Sequence, residues 1–273
     1  MSFGLLFFVS IAAGLVGALS GMGGGVVLVP VLACFGIDIK QAIAIGNLST
    51  VAVSTSAAPG YVRRHLPNLK VGAFLEMFAV IGALAGALIA VVSRQQILFL
   101  LYGGALLVFT WMFWMRRNRE WGPASKQDGP SRYLELEGSY YDHAEGRTIA
   151  YQGNRALLAS LLVCGAGVIS SLLGIGGSAL TVLINDAVIG LPPKVSLTTS
   201  NLIIGVMSLA GANVYLEAGL INPQMIAPVI LGVPLGALVG SKLLVHLTNP
   251  VARLTFFLVL IILGIEMLLQ GFR

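Results

Sequence analysis

The sequence predicts an all-α integral membrane protein made of two inverted repeats, each with about five hydrophobic segments. Of its 273 residues, 57% are apolar and 10% are charged, whereas roughly 25% of the residues in a soluble globular chain are charged. Apolar runs long enough to cross the hydrocarbon layer recur along most of the chain. The chain also contains an internal repeat in which each half has an odd number of such runs, and this predicts that the two halves are inverted relative to each other.

Ten apolar segments are bounded by charged residues, Pro or Gly. Two of them, 22–36 and 175–190, are only about 15 residues long, which is short for a straight crossing. Each follows a glycine cluster, so we expect helices that are broken by glycine or re-enter the membrane. The ten segments are 2–20, 22–36, 40–60, 71–92, 95–115, 156–173, 175–190, 195–214, 224–244 and 251–271.

A polar stretch at residues 116–155 separates an N-terminal transmembrane repeat, 1–115, from a C-terminal one, 156–273. Within it, residues 133–137 and 147–151 alternate with the two-residue period of strands, which predicts a small hairpin. Placing this loop in the cytoplasm puts most of the 16 Lys and Arg residues inside. The positive-inside rule therefore predicts an inner-membrane protein with both termini on the periplasmic side.

The two halves resemble each other in sequence. Gly-Met-Gly-Gly-Gly at 21–25 recurs as Gly-Ile-Gly-Gly-Ser at 174–178. Because each half has an odd number of segments, the second half enters the membrane in the opposite direction, as in many secondary transporters. A duplication that only built a stable bundle is the alternative. The further matched pairs are Asn47 with Asn201, Ser54 with Ser208, Asn68 with Asn222, Gly82 with Gly232 and Gly86 with Gly236.

The glycine clusters predict anion-binding helix starts, because the N–H groups there are bare and the helix dipole is positive. Irregular backbone inside a membrane is tolerated only where it packs in protein or lines a cavity, so we expect a cavity between the halves. Close helix packing is the competing role of such glycines. The candidate residues are Gly23, Gly24, Gly25, Gly176, Gly177 and Ser178.

Polar faces accompany the clusters. In the third segment the spacing i, i+3, i+7 puts three polar residues on one helix face, and the eighth segment has a related set. Amide and hydroxyl donors bind an oxyanion without burying a full charge, although they also serve in hydrogen bonds between helices. The candidates are Asn47, Ser49, Thr50 and Ser54 in the first half and Thr198, Asn201 and Ser208 in the second.

Ionisable residues inside the predicted segments are few: Glu76, Asp186 and Glu266. Glu76 is the candidate for proton coupling, and an interfacial position is its alternative explanation. The segments show no catalytic triad, carboxylate pair or metal-ligand spacing. We therefore expect that the protein is not an enzyme and that it binds no cofactor, metal or nucleic acid. The expected partners are a small anion and the lipid bilayer, and the sequence leaves a homodimer open.

Several of these residues resemble the sulfite exporter TauE/SafE permease family over essentially the whole chain: the glycine clusters, Pro30, Gly36, the Asn47 and Asn201 faces, and the loop sequence at 134–141. The resemblance implies a permease for small sulfur-containing anions, such as sulfite, sulfoacetate or other organosulfonates, linked to the proton gradient. Composition and spacing do not themselves indicate sulfur chemistry. An anion channel and a membrane scaffold protein without transport activity remain the alternatives.

Overall fold

The computed structural model describes residues 3–20, 23–116, 128–142, 146–244 and 250–272. Gly21 and Met22 of the first glycine cluster, and residues 117–127 and 143–145 of the predicted loop, lie outside the described residues. The elements are α1 Phe3–Ser20, α2 Gly25–Cys34, α3 Ile39–Val62, α4 Leu69–Val92, α5 Gln95–Arg116, α6 Gly129–Tyr133, β1 Glu137–Asp142, β2 Arg147–Gln152, α7 Ala156–Leu173, α8 Ser178–Ile184 continued by a π-helical turn Asn185–Ile189, α9 Pro193–Glu217, α10 Pro223–Leu244 and α11 Pro250–Phe272.

The predicted membrane class is confirmed. Each of the ten apolar segments contains a helix, and five helices of the described residues are long and apolar enough to cross a membrane. Short polar residues fix several helix starts: the Asp38 carboxylate accepts the Lys40 N–H at 2.8 Å, and the Asn68 amide oxygen accepts the Val71 N–H at 3.1 Å. Such side-chain caps satisfy N–H groups that have no partner within the helix.

The inverted repeat is visible in the directions of the helices. α1 runs parallel to α10, and α4 runs parallel to α7. These two contacts are equivalent, because α1 and α10 of one pair correspond to α7 and α4 of the other. α3 and its counterpart α9 are antiparallel, since Asn47 lies near Gly211 and Ser54 lies near Gly205. The equivalent helices of the two halves therefore point in opposite directions, as a pseudo-two-fold axis perpendicular to α3 and α9 requires.

The positions of the glycines in these two helix contacts correct one pair that was matched from sequence. A side chain at Gly82 would overlap the Cys164 carbonyl oxygen, and one at Gly236 would overlap that of Ile11. Gly86 and Gly240 are likewise close to carbonyl oxygens of the facing helix. Gly82 therefore corresponds to Gly236 and not to Gly232. The predicted match was wrong by one helical turn because glycines four residues apart repeat along α10 and fit either register.

Left-handed backbone conformations also recur in the two halves. The φ angle is +83° at Gly23 and +84° at Gly176, and it is +78° at Gly36 and +85° at Gly190. These positions lie at the same turns of the two repeats. The repeat therefore extends from sequence to backbone geometry.

The short helices α2 and α8 re-enter the membrane. Gly23 and Gly24 lie against Thr50 and Ser49, near the middle of α3, and α2 ends just before α3 begins. Ten residues of α-helix rise about 15 Å, which is half of the hydrocarbon thickness. α1 is parallel to α10, and α10 runs in the same direction as α3. α1 therefore begins at the face at which α3 begins, which is also the face at which α2 ends. In the second half, α7 and α8 form the same hairpin from the opposite face.

The predicted loop hairpin is present, but its first strand is displaced. Residues 129–133 form the short helix α6, capped by Asp128, and Glu135 then turns the chain with a φ of +49°. β1 therefore begins at Glu137, and Glu137 pairs with Gln152. The alternation at 133–137 was misleading because a helix end and a turn happened to share the period of a strand.

Candidate functional site

The two glycine clusters meet at the centre of the bundle. A β-carbon added to Gly25 would overlap the carbonyl oxygen of Gly174, and one added to Gly46 would lie 2.8 Å from the same oxygen. The tips of the two re-entrant hairpins are thus in direct backbone contact, which only residues without a side chain allow. Where a cavity between the halves was predicted, these glycines are therefore packed backbone against backbone.

Both re-entrant helices start without a side-chain cap. α2 follows Gly24 and α8 follows Gly177, which has a φ of +56°. The first N–H groups of a helix have no intrahelical acceptor, and the helix dipole makes that end positive. The starts of α2 and α8 are therefore electropositive without a formal charge, and the C-terminal ends of α1 and α7 lie beside them in the same hairpins.

Residues of α3 surround the first tip. A β-carbon at Gly23 would lie 2.6 Å from Thr50 Oγ1, and one at Gly24 would lie 3.0 Å from Ser49 Oγ. The Ser49 and Thr50 hydroxyls donate to the Gly46 carbonyl oxygen at 2.7 Å and 3.1 Å. Four of the candidate residues are therefore neighbours, and the hydroxyl hydrogens of Ser49 and Thr50 are used in bonds within α3.

Asn47 and Ser54 hold helices together. The Asn47 amide nitrogen donates to the carbonyl oxygens of Ile43 and Ser171, both at 3.2 Å. The Ser54 hydroxyl donates to the Asn201 carbonyl oxygen at 2.6 Å, from α3 to α9. Hydrogen bonding between helices, the competing role of these groups, therefore occupies one donor of Asn47 and the donor of Ser54, and the second donor of Asn47 bonds within α3.

The remaining candidates are less central. The Thr198 hydroxyl donates to the Lys194 carbonyl oxygen of its own helix at 2.8 Å. Glu76 is partly buried in α4, about two turns from the start of that helix, and its carboxylate makes no hydrogen bond or ion pair within the described part of the chain. No contact in the described ranges joins Glu76 to the hairpin tips.

Buried polar atoms without a partner are concentrated in α7, α8 with its π-helical turn, and α9. Seven side-chain atoms have no hydrogen-bond partner among the described residues, and the residues that carry them are at most 4% exposed. Such atoms are costly unless something else satisfies them. They are the hydroxyl oxygens of Ser170, Ser171, Ser178 and Ser208 and the amide oxygens of Asn47, Asn185 and Asn201.

Ser170, Ser171 and Asn185 were missed by the sequence analysis because hydroxyl and amide groups inside an apolar helix are inconspicuous. The internal repeat contains the signal that finds them. Their counterparts in the first half, 153 positions earlier, are Gly17, Ala18 and Leu32.

The loop hairpin packs on the start of α4. The Asn68 amide nitrogen donates to the Tyr151 hydroxyl at 3.3 Å and to the Glu137 carbonyl oxygen at 3.4 Å, and Lys70 pairs with Glu135. Burial raises the pKa of Tyr151. The hydrogen bond from Lys70 lowers the pKa of the Glu135 carboxyl. The hairpin is therefore joined to the membrane helices by polar contacts.

Among the described residues, no three His, Cys, Asp or Glu side chains are grouped closely enough to hold a metal ion. Two inverted repeats with re-entrant helices that meet at a polar centre are instead the architecture of a secondary transporter. The fold and the site thus define a multi-pass membrane permease.

Comparison with known proteins gives the family. The model of the family described as sulfite exporter TauE/SafE matches residues 6–267, and the chain belongs to that family. It is similar to two proteins of Bacillus subtilis (strain 168). "Probable membrane transporter protein YunE" is 24% identical over 280 residues, covering 99% of each chain. "Probable membrane transporter protein YdhB" is 23% identical over 269 residues, covering 97% of this chain and 98% of the relative. No solved structure matches the chain. The protein is a membrane transporter and not an enzyme.

Proposed function

We propose that this permease moves a small sulfur-containing anion, such as sulfite or an organosulfonate, across the inner membrane by alternating access. The observation that carries the proposal is the contact between Gly25, at the start of α2, and Gly174, which ends α7 and precedes the start of α8 by four residues, so that the uncapped starts of α2 and α8 flank one contact. Positive helix ends attract anions, and a site between inverted repeats can face either side of the membrane in turn.

The geometry of the hairpins supports alternating access. The hairpin formed by α1 and α2 enters from one face, and the hairpin formed by α7 and α8 enters from the other. Each tip therefore closes the centre from its own side. A tilt of one hairpin relative to α3 and α9 would open a path to one face while the other hairpin keeps the second path shut.

Complete burial of the central polar atoms favours a carrier over an open channel. Ser171, Ser208 and Asn47 are all 0% exposed. A permanently open pore would leave such groups wet. The occluded centre is the state that a carrier passes through between its two open forms.

Sulfur chemistry is supported by the family, whose description names sulfite export.

Coupling to protons is supported by Glu76, a partly buried carboxyl on α4 that has no ion pair within the described residues. Carboxyl groups within membrane segments are typical proton carriers. The proposed orientation places the loop in the cytoplasm, as the distribution of Lys and Arg indicates.

Flux measurements in proteoliposomes test the proposal. We expect uptake of radiolabelled sulfite or an organosulfonate that saturates with concentration and responds to an imposed pH gradient. Glu76→Gln should remove the response to the gradient while exchange without a gradient persists. Flux that does not saturate would indicate a channel, and the absence of flux for every anion tested would contradict the proposed function.

A further inference from the structure

The hydroxyl groups without partners are concentrated in the second half of the chain. Ser170 and Ser171 end α7, Ser178 begins α8, and Ser208 lies in the middle of α9. We propose that these four serine hydroxyls are the donors that bind the substrate, and that the site selects singly charged oxyanions. The inference rests on the proposed function and assigns the substrate contacts mainly to one repeat.

The geometry brings these donors around the second hairpin tip. A β-carbon at Gly177 would lie 2.8 Å from Ser170 Oγ, so the Ser170 hydroxyl packs directly beside the start of α8. Gly211 likewise packs directly against the Ser171 hydroxyl, with the Asn47 amide oxygen close by. Ser208 precedes Gly211 by one helical turn and shares its face.

The repeat shows that three of these four donors are not required by the fold, whereas Ser208 is matched by Ser54. The first half builds the same hairpin with small residues at the matching positions, so hydroxyl groups are not needed to pack it. The matched pairs, 153 positions apart, are Gly17 with Ser170, Ala18 with Ser171, and Gly25 with Ser178.

Buried hydroxyls without partners are unfavourable for stability and therefore call for a ligand. An anion supplies acceptor oxygens to the serine hydroxyls. Water molecules that accompany the anion supply O–H donors to the amide oxygens of Asn47, Asn185 and Asn201. A hydrated oxyanion thus satisfies both kinds of atom.

The charge of the ligand follows from the absence of cationic side chains near the tips. Among the described side chains, Lys and Arg lie at helix ends or in the loop: Lys40, Arg63, Arg64, Lys70, Arg94, Arg132, Arg147, Arg155 and Lys194. Neutral donors must then offset the whole cost of removing the anion from water. That cost scales with the square of the charge, so it is about four times larger for a dianion.

Binding to the purified full-length protein tests the inference, with methanesulfonate as the singly charged probe and sulfate, which has nearly the same size, as the doubly charged one. We expect the wild-type protein to bind methanesulfonate at least about tenfold more tightly. Ser171→Ala and Ser208→Ala should each weaken that binding about tenfold or more, as expected for a hydrogen bond to a charged group. Without ligand, both variants should melt at or above the wild-type temperature, because each loses an unsatisfied group.

Ser160→Ala is the matched control, since Ser160 lies on the same helix and donates to the Leu157 carbonyl oxygen at 2.9 Å. Its affinity for methanesulfonate should equal that of the wild type. Wild-type affinity in Ser171→Ala and Ser208→Ala, or equal affinity for the two probes, would overturn the inference while the proposed function stands. Failure of the wild type to bind or transport any anion would overturn both.

Discussion

The carbonyl oxygen of Gly174 occupies the space that a side chain at Gly25 would need. One residue belongs to the tip of the first re-entrant hairpin and the other to the tip of the second. Their contact joins the start of α2 to the C-terminal end of α7, in two hairpins that enter from opposite faces. The remaining features of the site depend on this close approach.

Gly25→Ala should therefore destabilise the folded protein and reduce transport, because the β-carbon overlaps backbone that cannot move freely. Overpacking of this kind costs roughly 1–3 kcal/mol. Thermal unfolding of the purified protein measures the effect. Gly104→Ala is the control, since a β-carbon at Gly104 meets no atom within 4 Å. Equal melting temperatures for the two variants would contradict the close contact.

Ser54→Ala should lower stability, because it removes the hydroxyl that donates to the Asn201 carbonyl oxygen at 2.6 Å. The loss of one such bond costs about 1 kcal/mol. Thr55→Ala serves as the control, because the exposed Thr55 hydroxyl bonds to carbonyl oxygens of its own helix. If Thr55→Ala lowered the melting temperature as much as Ser54→Ala, the bond between α3 and α9 would contribute nothing.

Gly82→Leu and Gly236→Leu should have similar effects on assembly. Each side chain would enter the same contact in one of the two repeats, α4 with α7 or α10 with α1. Both variants should be lost from the monodisperse peak in size-exclusion chromatography, whereas Gly165→Leu should be retained because its β-carbon position is open. Normal assembly of Gly236→Leu beside failure of Gly82→Leu would contradict the structural match of these two glycines.

The bond between Lys70 and Glu135 should make the loop hairpin pH-sensitive. The pKa of Glu135 is lowered in the folded protein, so its stabilisation is present above the ordinary pKa of 4.5 and is lost as the pH falls through the folded pKa. Hydrogen exchange in β1 and β2 should be faster in Glu135→Gln than in wild type at pH 7. That difference should shrink at acid pH. Glu137→Gln, which leaves the Lys70 contact in place, should behave like wild type throughout.

Much of the fold was predictable because the membrane imposes long apolar helices, and the sequence contains ten such segments. The re-entrant nature of α2 was visible only as its short length. The first loop strand was misplaced because the turn at Glu135 depends on local backbone geometry that alternation does not reveal. The glycine register on α10 required the facing helix to be known.

The candidate site was predictable in part. Glycine clusters can be read directly, since their lack of side chains signals close approach or irregular backbone. Whether a buried donor is free or already used depends on its partner, which the sequence does not contain. Ser54 turned out to bond to Asn201, while Ser171, inside an apolar segment, has a hydroxyl without a partner.

Cysteine accessibility tests the inverted repeat, on which the central site depends. Arg64 follows α3 and Ala218 follows α9, both are exposed, and they are matched at an offset of 154. In a background in which Cys34 and Cys164 are replaced by Ala, a membrane-impermeant maleimide applied to intact cells should label Ala218→Cys. Arg64→Cys should be labelled only after permeabilisation. Labelling of both positions from the same side would contradict the inverted architecture.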